Sequence, residues 1–176
     1  MDLSEQDLKK IKSLHVMLKM PIWILERETN RVLKSYKSIY KHPISYEFKE
    51  KNISDEVVRF YSGMLNEIFL CLWYQDVRIV IGAFRINNVT STEFSHVYDN
   101  LTPENKKILS EKECWEYYSS LPVYPLGDIR DYLILLGFLF DMNLEEIYSE
   151  ELHKQVGENQ LELVRKSAED TAYETF

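Results

Sequence analysis

The chain has 176 residues, a net charge of −8 and a pI near 5.1, a length that suits one domain with a short appendage. Apolar residues make up 45% and aromatics 13%, with five Gly and five Pro, which excludes a low-complexity or loop-dominated chain. The acidic balance disfavours a phosphate backbone as partner, because such contact needs clustered Lys and Arg.

Ser4 to Asp7 (SEQD) reads as a capping box that opens a helix, with Leu8, Ile11, Leu14, His15 and Leu18 on one face and Pro21 as its stop. Pro21 to Tyr36 then reads as a β-hairpin. Its turn is Glu28-Thr29-Asn30, with Asn30 tolerant of a left-handed backbone. The most basic stretch, Arg31 to Lys41, alternates with apolar residues as a solvated edge strand would. Residues 37–52 read as a loop with an extended piece around Tyr46 and Phe48, and Ser54 as the cap of a short helix reaching about Gly63.

Ile68 to Arg85 is the clearest hairpin, with IFLCLWY and VRIVIGAFR flanking a tight turn at Gln75-Asp76. Strict alternation on the second strand would set Val77, Ile79, Ile81 and Ala83 against Arg78, Val80, Gly82 and Phe84, with one face as core. Gly82 inside a strand points to a bulge or a close backbone approach. From residue 91 the chain reads as helical. Thr102-Pro103 makes a cap with Pro at the first helical position, and Ser110 to Glu113 a capping box. Leu121 to Pro125 is a rigid break before an apolar helix over Leu126 to Phe140, and Asn143 to Glu146 caps a last helix.

Motifs for catalysis are sparse. No Gly-rich phosphate loop or paired Cys motif occurs, and His15, His42, His96 and His153 lie too far apart in sequence for metal-ligand spacing. Cys71 sits in an apolar strand, where a thiol is inert, and Cys114 in an aromatic helix; two such thiols make no disulfide scaffold. Met1 to Lys10 is too polar for a signal peptide, and Tyr132 to Phe140 is too short to span a bilayer. The expected location is therefore the cytoplasm. The aromatics say more. Trp23, Phe69, Trp73, Tyr74 and Phe84 lie on the two hairpins, and Tyr117, Tyr118, Tyr124 and Tyr132 bracket the proline break. Such side chains fill a core, or line a pocket between sheet and helices.

Two stretches carry a family resemblance. Arg78 to Phe84 (RIVIGAF) ends a strand in I-G-x-F. Leu121 to Phe140 (LPVYPLGDIRDYLILLGFLF) enters an apolar helix through L-P-x-x-P-L. With the opening helix and the P-I-W-I-L that follows it, these resemble the N-terminal region of Gram-positive transcription regulators of the AraC class associated with surface-antigen expression. The resemblance covers residues 8–150 and departs at Ala83, where many relatives carry Pro. It implies a PAS- or GAF-like regulatory region ahead of a C-terminal pair of helix-turn-helix motifs, and it implies no catalytic residues. No such pair follows residue 150, so the chain is expected to be part of a longer regulator.

The expected fold is α+β, a small antiparallel sheet of two hairpins packed by helices with a helical C-terminal region. Residues 1–142 would be the sensor and 143–176 a connector or dimerisation tail. The ligand-facing residues expected are Trp23, Phe69, Trp73, Phe84 and Tyr124; those expected to dimerise are Ile147, Leu152, Val156 and Leu161. The partners expected are a small-molecule or protein signal and a second copy of the chain, with DNA reached only through an attached domain and no membrane. No cofactor, metal or catalytic residue is expected. An adaptor that binds protein alone is the rival reading. A small enzyme is a third, which would need a buried carboxylate or His beside a cleft.

Overall fold

The first helix, α1 (Glu5–Leu18), starts on the expected capping box. Ser4 Oγ accepts the Asp7 N–H, and the Asp7 carboxylate accepts the Ser4 N–H, pairing two donors that the helix itself leaves open. Ile11, Leu14 and Leu18 are buried at three- and four-residue spacing. Lys19, at φ 54°, ends the helix. The structure, a computed structural model, describes residues 3–37 and 58–142. The extended piece around Tyr46 and Phe48, the helix capped by Asn143 and the tail residues Ile147, Leu152, Val156 and Leu161 lie outside the described residues.

β1 (Ile22–Glu26) and β2 (Val32–Tyr36) form the first hairpin, with Asn30 at φ 56° in its turn. β2 is an edge strand with Val32 and Lys34 exposed, so the basic stretch is the solvated rim it reads as. β4 (Ile68–Tyr74) and β5 (Val77–Phe84) form the second hairpin. The helix expected from Ser54 to Gly63 is not found over its described part: Val58–Ser62 is a strand, β3, paired to β4. Val58 and Phe60 are buried while Arg59 and Tyr61 are half-exposed, a period of two that only a sheet partner on one side makes use of.

The five strands make one antiparallel sheet in the order β2-β1-β5-β4-β3. The earliest and latest strands of the sheet are thus neighbours at its centre, and the two hairpins are joined through the β1–β5 ladder. Every residue of β5 is buried, as are six of the seven in β4, because helices cover both faces of the sheet. An antiparallel sheet often leaves one face wet and then alternates cleanly; here the middle strands are apolar throughout.

One face carries Ile22, Ile24, Leu70, Leu72, Ile79 and Ile81 against α1 and α5 (Leu126–Leu139). The other carries Leu25, Phe69, Cys71 and Val80 against α2 (Ser91–Asp99), α4 (Glu111–Ser120) and Leu101 and Leu109, which flank α3 (Pro103–Ile108), a helix that itself buries no residue. Thr90, Thr102 and Ser110 each cap the helix that follows by accepting the N–H three residues on. α1 and α5 run antiparallel. Tyr74 touches Asp7 near the start of α1 and Phe140 at the end of α5, while Tyr124, ahead of α5, reaches Leu18 at the end of α1. No helix among the described residues is long and apolar enough to cross a membrane.

Candidate functional site: an apolar cavity beneath α5

Between the sheet and the α1/α5 layer lies a cavity of about 30 Å³. Leu18 and Met20 close it from α1 and the turn after it. Phe60, Leu70, Ile81 and Phe84 form its floor, and Tyr124, Ile129, Tyr132 and Leu136 its roof. A bulge brings Phe84 there. Phe69 stands opposite Gly82 and Ile68 opposite Phe84, so Ala83 is the unpaired residue. Beyond it the alternation of β5 shifts by one: Ala83 joins Val80 on one face and Phe84 joins Ile81 on the other. Gly82 allows the close approach, since a Cβ there would stand 2.6 Å from Phe69 Cδ1 and 3.0 Å from the Ile68 carbonyl oxygen.

Tyr124 is the most connected residue of the site. Its ring meets Phe84 at 5.8 Å and Tyr132 at 4.7 Å between centroids, edge-on in both cases. Its hydroxyl donates to the Leu18 carbonyl oxygen at 3.1 Å. Burial, and then the hydroxyl of Tyr132, pushes its pKa up to about 12. The phenol is therefore neutral at any physiological pH.

A strap ties Tyr124 to the rest of the fold. The Arg85 N–H donates to the Pro122 carbonyl oxygen at 2.9 Å, and the Tyr124 N–H donates back to the Arg85 carbonyl oxygen at 2.7 Å. The Arg85 guanidinium is buried at the end of α4, donating to the Leu121 carbonyl oxygen from Nε and Nη2 and to Ser119 O from Nη2. Burial lowers its pKa. β5, the end of α4 and the entry to α5 thus converge on one arginine. In sequence it is only a charge closing an apolar strand, and sequence reasoning missed it.

Of the five aromatics expected to face a ligand, Phe84 and Tyr124 line this cavity. Trp23, Phe69 and Trp73 lie on the opposite face of the sheet. Trp23 and Phe69 are neighbours at 6.3 Å, and the Trp73 ring has the guanidinium of Arg78 at 3.8 Å and that of Arg27 at 4.4 Å. The sheet therefore divides the set in two. The alternation of β4 could have placed Phe69 and Trp73 together; it could not say that Tyr124 belongs to the other side.

Two further groups bear on chemistry. Glu67, in the turn between β3 and β4, is fully buried and its Oε2 accepts the Leu65 N–H at 3.1 Å. It sits by Cys114 and Tyr118, whose pKa values are raised by burial first and by its charge as well, that of Tyr118 to about 12. This carboxylate is on the far side of the sheet from the cavity. Burial also pushes the Cys71 thiol up to about 11. Among the described residues, no group of three His, Cys, Asp or Glu is placed to hold a metal ion.

No family model, curated protein or solved structure matches this chain.

Proposed function

We propose that this chain is the regulatory part of a bacterial transcription regulator, a PAS- or GAF-like receiver in the cytoplasm. A signal received beneath α5 would alter how an attached helix-turn-helix domain meets DNA. The observation that carries this reading is the position of the cavity. It lies under α5, the last described helix, and its roof residues Tyr124, Ile129 and Leu136 belong to that helix and its entry. A guest larger than the cavity would displace the element that leads towards residues 143–176. The I-G-x-F and L-P-x-x-P-L resemblance supports the same reading, since Phe84 and Tyr124 come from those two stretches.

A ligand shifts such a module only by its difference in affinity for two arrangements of α5. A second copy of the chain is the expected partner, through Ile147, Leu152, Val156 and Leu161, in an isologous contact. The test is a mobility-shift assay on the product of the whole gene, with and without Ile81→Phe in the cavity floor. Operator binding that changes with the substitution supports the reading. A product that binds no DNA refutes it. Light scattering on Leu152→Asp with Leu161→Asp tests the dimer: an unchanged mass beside a dimeric parent rejects the tail as the interface.

The adaptor reading has one observation of its own. Phe138 of α5 is 85% exposed and Ile134, one turn before it, 40%; residues four apart share a helix face, and adjoining exposed apolar side chains are what a protein partner covers. Phe138→Ser separates the two: the adaptor loses its protein partner, whereas the receiver keeps its ligand.

A further inference from the structure

The chemistry of the cavity restricts what it can receive. All its lining side chains are uncharged. The Tyr124 hydroxyl is committed to the Leu18 carbonyl, and Tyr132 hydrogen-bonds with it. A charged guest would lose its hydration with no counter-ion to replace it, which costs far more than burying apolar atoms returns. Water fits by volume, since about 10–15 Å³ accommodates one molecule, but a buried water needs two to four polar partners. What fits is a guest with no hydrogen bonds to satisfy.

We propose that the cavity beneath α5 is the binding site for a small, uncharged, apolar molecule, held against Phe84, Tyr124, Ile129 and Leu136. The proposal rests on the receiver reading and names its ligand class. At about 30 Å³ the space takes a monatomic or few-atom guest as it stands. A larger apolar guest has to lift the roof. Tyr124 and Tyr132 pack edge-on over the space, and the roof belongs to one helix and its entry, so that adjustment falls on α5. The strap transmits it, because the Tyr124 N–H donates to the Arg85 carbonyl while the Arg85 N–H holds the Pro122 carbonyl beside it.

The experiment uses the full chain, methyl- and amide-labelled for NMR, titrated separately with xenon, benzene and benzoate. Xenon is expected to shift the methyls of Ile81, Ile129 and Leu136 and to leave the α5 amides in place. Benzene is expected to shift the same methyls and also the amides of residues 126–139. Benzoate at equal concentration is expected to shift neither. Ile81→Val, which removes one methylene from the floor, should tighten benzene binding several-fold. Three results overturn the proposal: methyl shifts with benzoate comparable to those with benzene, saturable benzene shifts confined to the Trp23 and Phe69 face, or no response to either apolar probe. The receiver reading fails separately. Benzene that binds here without moving the α5 amides upholds the ligand class and removes the receiver; benzoate that moves methyls and α5 together does the reverse.

Discussion

Gly82→Ala tests the packing on which the position of Phe84 depends. A Cβ at residue 82 would stand 2.6 Å from Phe69 Cδ1, 3.0 Å from the Ile68 carbonyl oxygen and 3.1 Å from Phe69 Cα. Two of these atoms are backbone in the paired strand β4 and cannot rotate away, and the Phe69 ring is backed by Trp23. Overpacking of this kind costs about 1–3 kcal/mol. The lost freedom of the unfolded chain returns about 0.4–1 kcal/mol, so the net expected loss is about 1.5 kcal/mol. For a chain of this length each kcal/mol lowers Tm by about 2–4 °C, giving a fall of about 3–6 °C by circular dichroism. Gly127→Ala is the control, since nothing lies within 4 Å of a Cβ there. It sits in the first turn of α5, where Ala is the better helix former by up to about 1 kcal/mol, so it should hold or raise Tm. The reasoning fails if the two substitutions move Tm alike, or if Gly82→Ala leaves it unchanged.

Three other outcomes follow from named contacts. The Asp7 carboxyl is pushed up by burial, but the hydrogen bonds from Ser4 and Tyr74 and the charge of Lys10 outweigh this and hold it below 3.8. A carboxyl depressed in the folded state contributes stability above its unfolded pKa, and that stability is lost as pH falls through the folded value. Tyr74→Phe removes one donor to Asp7 and should cost about 1 kcal/mol at pH 7 in urea titrations, a deficit that shrinks as the pH falls below 3.8; a constant deficit down to low pH would contradict this. Arg85→Met leaves the Leu121 and Ser119 carbonyls without their guanidinium donor and should cost about 2–3 kcal/mol, with faster hydrogen exchange at the Tyr124 amide; an unaltered urea midpoint speaks against the strap. Cys71 and Cys114 are buried with raised pKa values, so neither should react with a thiol reagent at pH 8 until the chain is unfolded; stoichiometric labelling of the native protein would show the packing to be wrong.

The sheet was legible where local signals suffice. Both hairpins announce themselves by apolar, β-branched and aromatic runs around turn residues, and Asn30 and Gln75 do take positive φ. β3 was not legible, because Ser54 reads in sequence as a helix cap and the alternation of Val58 to Tyr61 gains meaning only from β4 beside it. The site was half legible for a related reason. Even-numbered residues of β5 share a face with odd-numbered residues of β4, as the pairs Cys71–Val80 and Trp73–Arg78 show. Parity alone therefore puts Phe84 with Phe69 and Trp73. One inserted residue, Ala83, turns Phe84 over to join Tyr124. Gly82 hinted at that bulge, but a glycine does not say which neighbour changes face.

The way α1 and α5 are fastened decides what a guest in the cavity would do. At one end Tyr74 holds both, donating to Asp7 at 3.1 Å and packing on Phe140 at 5.0 Å. At the other end the link is Tyr124, whose hydroxyl holds Leu18 while its ring forms part of the cavity roof. The Phe140 end lies away from the cavity, whereas the Tyr124 end forms part of its roof and is the end that a guest meets. In the receiver reading α5 then pivots rather than slides. Fourteen residues at 1.5 Å each make a lever of about 20 Å, so a displacement of about 1 Å at its first turns tilts the axis by roughly 3°. A tilt about a fixed end changes the direction of whatever follows residue 142 more than its position, which is the motion that re-spaces two attached domains. Tyr74→Ala removes both the Asp7 bond and the Phe140 contact, frees the pivot, and should therefore weaken the response of a full-length regulator to its signal while leaving the cavity lining intact.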